Sequence, residues 1–134
     1  MTPRPVATVA SGPRVAVLAD DLIWATRLSE IVRRAGGEPV RLSSSALLRA
    51  ALSTLEGCVV DLTARSYDGI AAVMTAATAN VPTVAVGQHD DADERRAARE
   101  AGAAKVYAYR ALFEHGDRDL GGWVAALRGR EAGQ

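Results

Sequence analysis

Short apolar runs alternate five times with stretches of helical spacing, and this alternation constrains the fold more than any other feature of the chain. Runs of four or five apolar residues are strand-sized, and parallel strands need a helix-sized crossover between them. The first run is Val15–Ala19. Leu28, Ile31, Val32 and Ala35 then share a helical face that Arg27, Glu30, Arg33 and Arg34 mostly avoid, with Gly36 as the stop. Glu38–Leu42 predicts a second strand, and Ser43 to Ser45 offer N-caps to a helix carrying Leu47, Leu48, Ala51, Leu52 and Leu55. Gly57 opens the run Cys58-Val59-Val60, which ends on Asp61. Asp68 can cap a helix from about residue 69 to 79 with Ile70, Val73, Met74 and Ala77 inward. Thr83–Val86 follows Pro82, a charged helix runs from Asp93 to Ala101, Lys105–Tyr109 predicts the fifth strand, and Leu120–Arg128 the closing helix. The pattern calls for an α/β domain, a parallel sheet with helices on both faces.

One domain is what 134 residues with 49% hydrophobic content allow. The expected limits are a flexible arm over residues 1–13, with Val6–Val9 a weak strand candidate, a domain over 14–129 and a tail over 130–134. Sixteen basic and sixteen acidic residues balance, which removes the overall electrostatic footprint of a nucleic-acid-binding domain. No run approaches the ~20 apolar residues of a membrane span, and residues 1–14 carry no signal-peptide core, so the expectation is a cytoplasmic protein without a membrane role. Cys58, the single cysteine, sits inside an apolar run and reads as a packed thiol. His89 and His115 lack a histidine partner at metal-ligand spacing and read as surface residues.

Parallel strands place their carboxyl ends on one edge, so Asp20 and Asp21, which end the first run, meet Asp61 if the first and third strands are neighbours. At ~5 Å and an effective dielectric of ~20, each charged pair costs roughly 3 kcal/mol, so the cluster calls for a cation or a raised pKa. Oxygen-only ligation of this kind suits Mg²⁺. Asp21 and Asp68 each have a plainer reading as helix N-caps, worth about 1 kcal/mol.

These pieces resemble a response-regulator receiver domain of two-component signalling over residues 14 to about 129. The resemblance rests on VLADD ending at Asp21, CVVD ending at Asp61, Asp68-Gly69 seven and eight positions after Asp61, Val81-Pro82 before the fourth strand and Ala101-Gly102-Ala103 before the fifth. It implies a doubly wound five-stranded parallel sheet in the order 2-1-3-4-5, the flavodoxin-like receiver fold. It further implies Asp61 as the phosphoryl acceptor, with Mg²⁺ held by Asp20, Asp21, Asp61 and the carbonyl of Thr63. The implied partners are a histidine kinase or phosphotransfer protein and a downstream protein that docks on about residues 93–128; a homodimer is compatible with that surface.

Two positions depart from the family pattern. Gly87 stands where the family has a Ser or Thr at the end of the fourth strand. The ungapped register places Tyr109 at the family's lysine, whereas a one-residue shift places Arg110 there and Tyr107 at the switch aromatic. The expectation is therefore a stand-alone atypical receiver in a phosphorelay, not an enzyme, with at most self-phosphorylation of Asp61 from phosphodonors. The alternative is a phosphorylation-independent pseudo-receiver that serves as an interaction or dimerisation module. A flavin- or nucleotide-binding enzyme would need a glycine-rich turn after the first strand, where this chain has two carboxylates.

Overall fold

The computed structural model describes residues 12–132 other than His89. Residues 1–11 of the arm expected over residues 1–13, with the weak strand at Val6–Val9, and His89 lie outside the described residues. The chain runs β1 (Arg14–Leu18), α1 (Leu22–Arg34), β2 (Glu38–Leu42), α2 (Ser45–Ala51), a 3₁₀ turn (Leu52–Thr54), β3 (Gly57–Asp61), α3 (Gly69–Thr78), β4 (Thr83–Gly87), α4 (Ala92–Ala101), β5 (Val106–Ala108) and α5 (Tyr109–Ala132). All strand pairs are parallel, in the order β2-β1-β3-β4-β5. Strands β1 and β3 are therefore neighbours, with Leu18 opposite Val60, and their carboxyl ends share one edge.

The central strands are apolar on both faces because helices cover both. Alternate side chains divide between two cores. Ala16, Leu18, Cys58, Val60 and Ala85 face Leu48 of α2, Ala72, Val73 and Ala76 of α3, and Ala98 and Ala101 of α4. Val15, Val17, Val59, Val84 and Val86 face Leu28, Ile31 and Val32 of α1 and Leu112, Leu120, Val124 and Leu127 of α5. The alanines of α3 and α4 are small enough to bring those helices close to the sheet. Trp123 is partly buried against this second core; its ring packs over Gly57, where a Cβ would lie 3.0 Å from Trp123 Cη2 and 2.6 Å from Leu127 Cδ1.

Side-chain caps fix three helix starts near the functional edge. Asp21 Oδ1 accepts from Trp24 N (3.0 Å), Asp68 Oδ1 from Ala71 N (3.0 Å) and Asp91 Oδ1 from Glu94 N (2.9 Å). Ser44 does the same for α2, through Leu47 N. Gly102 takes φ of 123° at the end of α4, a conformation that side chains strain against.

Three expectations shift. The fifth strand is Val106–Ala108 only, and α5 begins at Tyr109 rather than Leu120, bends at His115 (φ −136°, ψ 31°) and continues to Ala132, past the domain limit expected at 129. Residues 109–119 are thus helix, not connection. Met74 is 54% exposed rather than inward, because nearly every residue of α3 is apolar and its periodicity does not choose a face. The 3₁₀ turn replaces the last stretch of the second helix and leads Leu55 into the core. Among the described residues no helix is long and apolar enough to cross a membrane.

Candidate functional site

Asp61 ends β3 with only 1% of its surface exposed, yet its side chain lines a pocket of about 560 Å³ at the carboxyl edge of the sheet. Asp20, Asp21, Trp24, Thr63, Arg65, Gln88 and Tyr109 share the wall. The topology places Asp20, Asp21, Asp61, Thr63 and Tyr109 around this one pocket.

A buried carboxylate requires donors. Asp61 Oδ1 accepts from the backbone N–H of Thr63 (3.1 Å), from Thr63 Oγ1 (3.0 Å) and from the Tyr109 hydroxyl in a short contact. The Thr63 and Tyr109 hydroxyl oxygens also touch each other. Burial raises the Tyr109 phenol well above its ordinary range, and its hydrogen bond to Asp61 adds to this, so it remains a proton donor at any physiological pH. The ring is held in place by Trp24, with centroids 4.6 Å apart and planes tilted by 45°. Trp24 is thereby a wall of the site. Thr63 meets Asp61 through its hydroxyl and its backbone N–H.

Arg110 is turned away and pairs with Glu114 at 3.8 Å on the outer surface, while the Tyr107 hydroxyl donates to the carbonyl of Asp119 at 3.2 Å. The register in which Arg110 faces Asp61 is therefore not the one the chain adopts. Since β5 ends at Ala108, the first residue of α5 sits at the sheet edge, and that residue is Tyr109.

The two acids after β1 are already engaged. Asp21 caps α1. Asp20 Oδ2 accepts from the N–H groups of Arg65 (2.9 Å) and Ser66 (3.0 Å), and these bonds, that of Ser66 foremost, hold its carboxyl below the usual range against the opposing cost of desolvation. A second tie lies underneath: the Tyr67 hydroxyl is 2.8 Å from the carbonyl oxygens of both Leu18 and Asp61, joining the ends of β1 and β3. Burial raises that phenol too, with Asp61 and Asp20 adding to it.

Oxygen donors suit Mg²⁺, and Asp20, Asp21 and Asp61 all line the pocket. Among the described residues, however, no three Asp, Glu, His or Cys side chains are grouped closely enough to hold a metal ion. The donor chemistry fits the ion but the present arrangement does not gather the donors. Each of the three carboxylates has one oxygen committed to a protein hydrogen bond.

Gly87 is occupied by a neighbour. A Cβ there would lie 3.0 Å from Glu94 Oε1 and 3.2 Å from Leu62 Cδ1, so the Glu94 carboxyl fills the space where the family pattern places a hydroxyl-bearing side chain. Glu94 Oε1 is buried without a protein hydrogen bond. Desolvation, followed by the nearby charges of Asp91 and Asp61, raises its pKa. Sequence reading missed Glu94, taking it for part of a solvated helix, and missed Tyr67; the signal for Glu94 was a glycine where a side chain was expected, and for Tyr67 an aromatic beside the Asp68-Gly69 turn. Cys58 is fully buried in the sheet, and desolvation pushes its thiol up to about 12, so it takes no part.

No protein-family model matches the sequence, and neither does any curated protein. The fold does match solved structures. The receiver domain of the Francisella response regulator 1452 superposes with a TM-score of 0.71 at 18% identity, covering 89% of this chain and 98% of that one. A response-regulator receiver domain from Clostridium thermocellum gives 0.74 at 15% identity over 90% and 97%. The BeF3-activated DrrB receiver domain gives 0.69 at 14% identity over 92% and 99%. The chain has the receiver fold.

Proposed function

We propose that this chain is an atypical receiver of the response-regulator type, a signalling module rather than an enzyme, that works by docking proteins while its Asp61 centre stays in one hydrogen-bonded state. The observation that carries this is the Tyr109 hydroxyl bonded to Asp61 Oδ1 at the end of β5. A phosphoryl group on Asp61 would bring about −1.5 to −2 charges, by analogy with other phosphorylated side chains, into a pocket walled by Asp20 and Asp21. At ~5 Å and a dielectric of ~20, each unit pair costs roughly 3 kcal/mol. The family pattern meets that charge with a lysine; here the matching position carries a neutral phenol, and Glu94 adds a further carboxyl beside Gly87. The face formed by α4, β5 and α5, about residues 93–128, is the proposed surface for a downstream protein.

A second reading keeps Asp61 as phosphoryl acceptor in a phosphorelay, and the common pocket of Asp20, Asp21 and Asp61 favours it. An Asp61 carboxylate oxygen would form a bond to phosphorus as the P–N bond of a phosphohistidine, or the P–O bond of an acyl phosphate, breaks and its electron pair leaves with the donor group. Asp20, Asp21 and Asp61 with the Thr63 carbonyl are the residues that would hold Mg²⁺, which would offset phosphoryl charge. Incubation with acetyl phosphate and Mg²⁺ followed by intact mass measurement separates the readings. The docking reading expects no phosphoryl adduct in the wild type; an adduct that disappears in Asp61→Asn establishes the second reading instead.

A further inference from the structure

We infer that the cleft between the start of α1 and the end of β2 binds a zwitterionic small molecule, an α-amino acid with an aliphatic side chain. The cleft encloses about 290 Å³, at the small end of ligand pockets, which run from roughly 300 to 1,000 Å³. Its walls carry both signs of charge, the Arg41 guanidinium from β2 and the Asp20 and Asp21 carboxylates from the loop between β1 and α1. These charges do not neutralise one another. Among the described residues the Arg41 guanidinium has no hydrogen-bond or ion-pair partner, so both acids lie beyond ion-pair distance of it. Asp21 uses one oxygen, Oδ1, to cap α1 and keeps the other free. Unpaired opposite charges thus line a single opening, on a chain whose net charge is zero.

Local structure sets up this opposition. Strand β2 lies at the edge of the sheet, and its Val40 and Leu42 pack against the core on the α2 side, so Arg41 between them faces the α1 side. On α1, Leu22 and Ala25 stand three residues apart and share the side that lines the cleft. Leu22 is 71% exposed and gives the opening an apolar wall. A ligand that satisfies every wall must bring a carboxylate to the guanidinium fork, an ammonium to the free Asp21 oxygen, and an aliphatic group to Leu22 and Ala25. Ser43, on the same wall as Arg41, adds a hydroxyl. A lone anion would meet two carboxylates, and a lone cation would be repelled by Arg41. An α-amino acid carries both charges side by side. The cleft shares only Asp20 and Asp21 with the Asp61 pocket and does not depend on the state of that centre.

The test titrates the full chain, isotope-labelled, with L-leucine, and separately with isocaproate, which lacks the ammonium, and isoamylamine, which lacks the carboxylate. The expected result is saturable NMR shifts at the amides of Leu22, Ala25 and Ser43 and at the Arg41 side-chain N–H with L-leucine, and at least tenfold weaker binding of both truncated compounds. Arg41→Gln and Asp21→Asn should each weaken L-leucine binding at least tenfold; asparagine is as good an N-cap as aspartate, so α1 keeps its start. No saturation by L-leucine overturns the proposal. So does equal binding of isoamylamine, which would make the cleft a simple attractor of cations, or unchanged L-leucine binding in Arg41→Gln.

Discussion

Tyr109→Phe isolates the hydroxyl that defines the Asp61 centre. The substitution keeps the ring stacked on Trp24 and removes a donor from a carboxylate on a residue that is 1% exposed. A hydrogen bond to a charged group contributes about 1.5–3 kcal/mol, and because Thr63 still supplies its N–H and Oγ1 to the same oxygen, the lower part of that range applies, about 1.5–2 kcal/mol. For a domain of this size that corresponds to a fall in Tm of roughly 5–9 °C. Urea unfolding monitored by Trp fluorescence gives the free energy, provided m is unchanged. A double-mutant cycle identifies the partner: in an Asp61→Asn background the acceptor is a neutral amide, bonds to it are about half as strong, and Tyr109→Phe should cost about 1 kcal/mol less than in the wild type. A cost below about 0.5 kcal/mol in the wild type, or an equal cost in both backgrounds, would refute the argument.

Other outcomes follow from the same structure. Glu94→Gln should stabilise the protein at neutral pH by about 1 kcal/mol, a figure discounted because Glu94 is partly exposed, by removing a desolvated charge. Because the folded pKa of Glu94 is raised above the ordinary 4.5, its folded state binds the proton more readily; wild-type stability should gain from this group as pH falls through the folded value toward 4.5, and Glu94→Gln should lack that gain in pH-dependent urea melts. Asp20 has the opposite sign: its two backbone bonds stabilise fully above the ordinary 3.8 and are lost as pH falls through the lower folded value, which the Arg65 and Ser66 amide resonances should report together. Gly57→Ala should cost about 1–3 kcal/mol, since the new Cβ meets Leu127 Cδ1 at 2.6 Å; a neutral result in chemical denaturation would show that α5 can retreat from the sheet. Cys58 should resist a thiol reagent in the native protein at pH 8 and react fully in urea; rapid native labelling would contradict its burial.

The sheet was legible in the sequence because buried parallel strands bounded by Gly, Pro and Asp leave a plain apolar signature, and Asp61 was legible as the residue that breaks the third such run. The end of the chain was not. Strand β5 is three residues long and shares its apolar content with the start of α5, so composition cannot say whether Tyr109 or Arg110 stands at the sheet edge; the helix start decides it. Helix α3 hid its inner face for a related reason, having apolar residues all round. Glu94 was out of reach because its role depends on the volume that Gly87 leaves empty across β4, a tertiary fact that local charge patterning describes only as another acid on a charged helix.

The central claim is that Asp61 is held by Tyr109 and Thr63 and does not switch. Titration of the isotope-labelled protein with beryllofluoride and Mg²⁺, followed through the amides of Thr63, Gly87 and Tyr109, tests it directly. The account predicts no saturable shift at these amides and spectra that match those of the protein with Mg²⁺ alone. Saturable shifts at Thr63 and Gly87 that vanish in Asp61→Asn would contradict it and place phosphoryl chemistry at this centre.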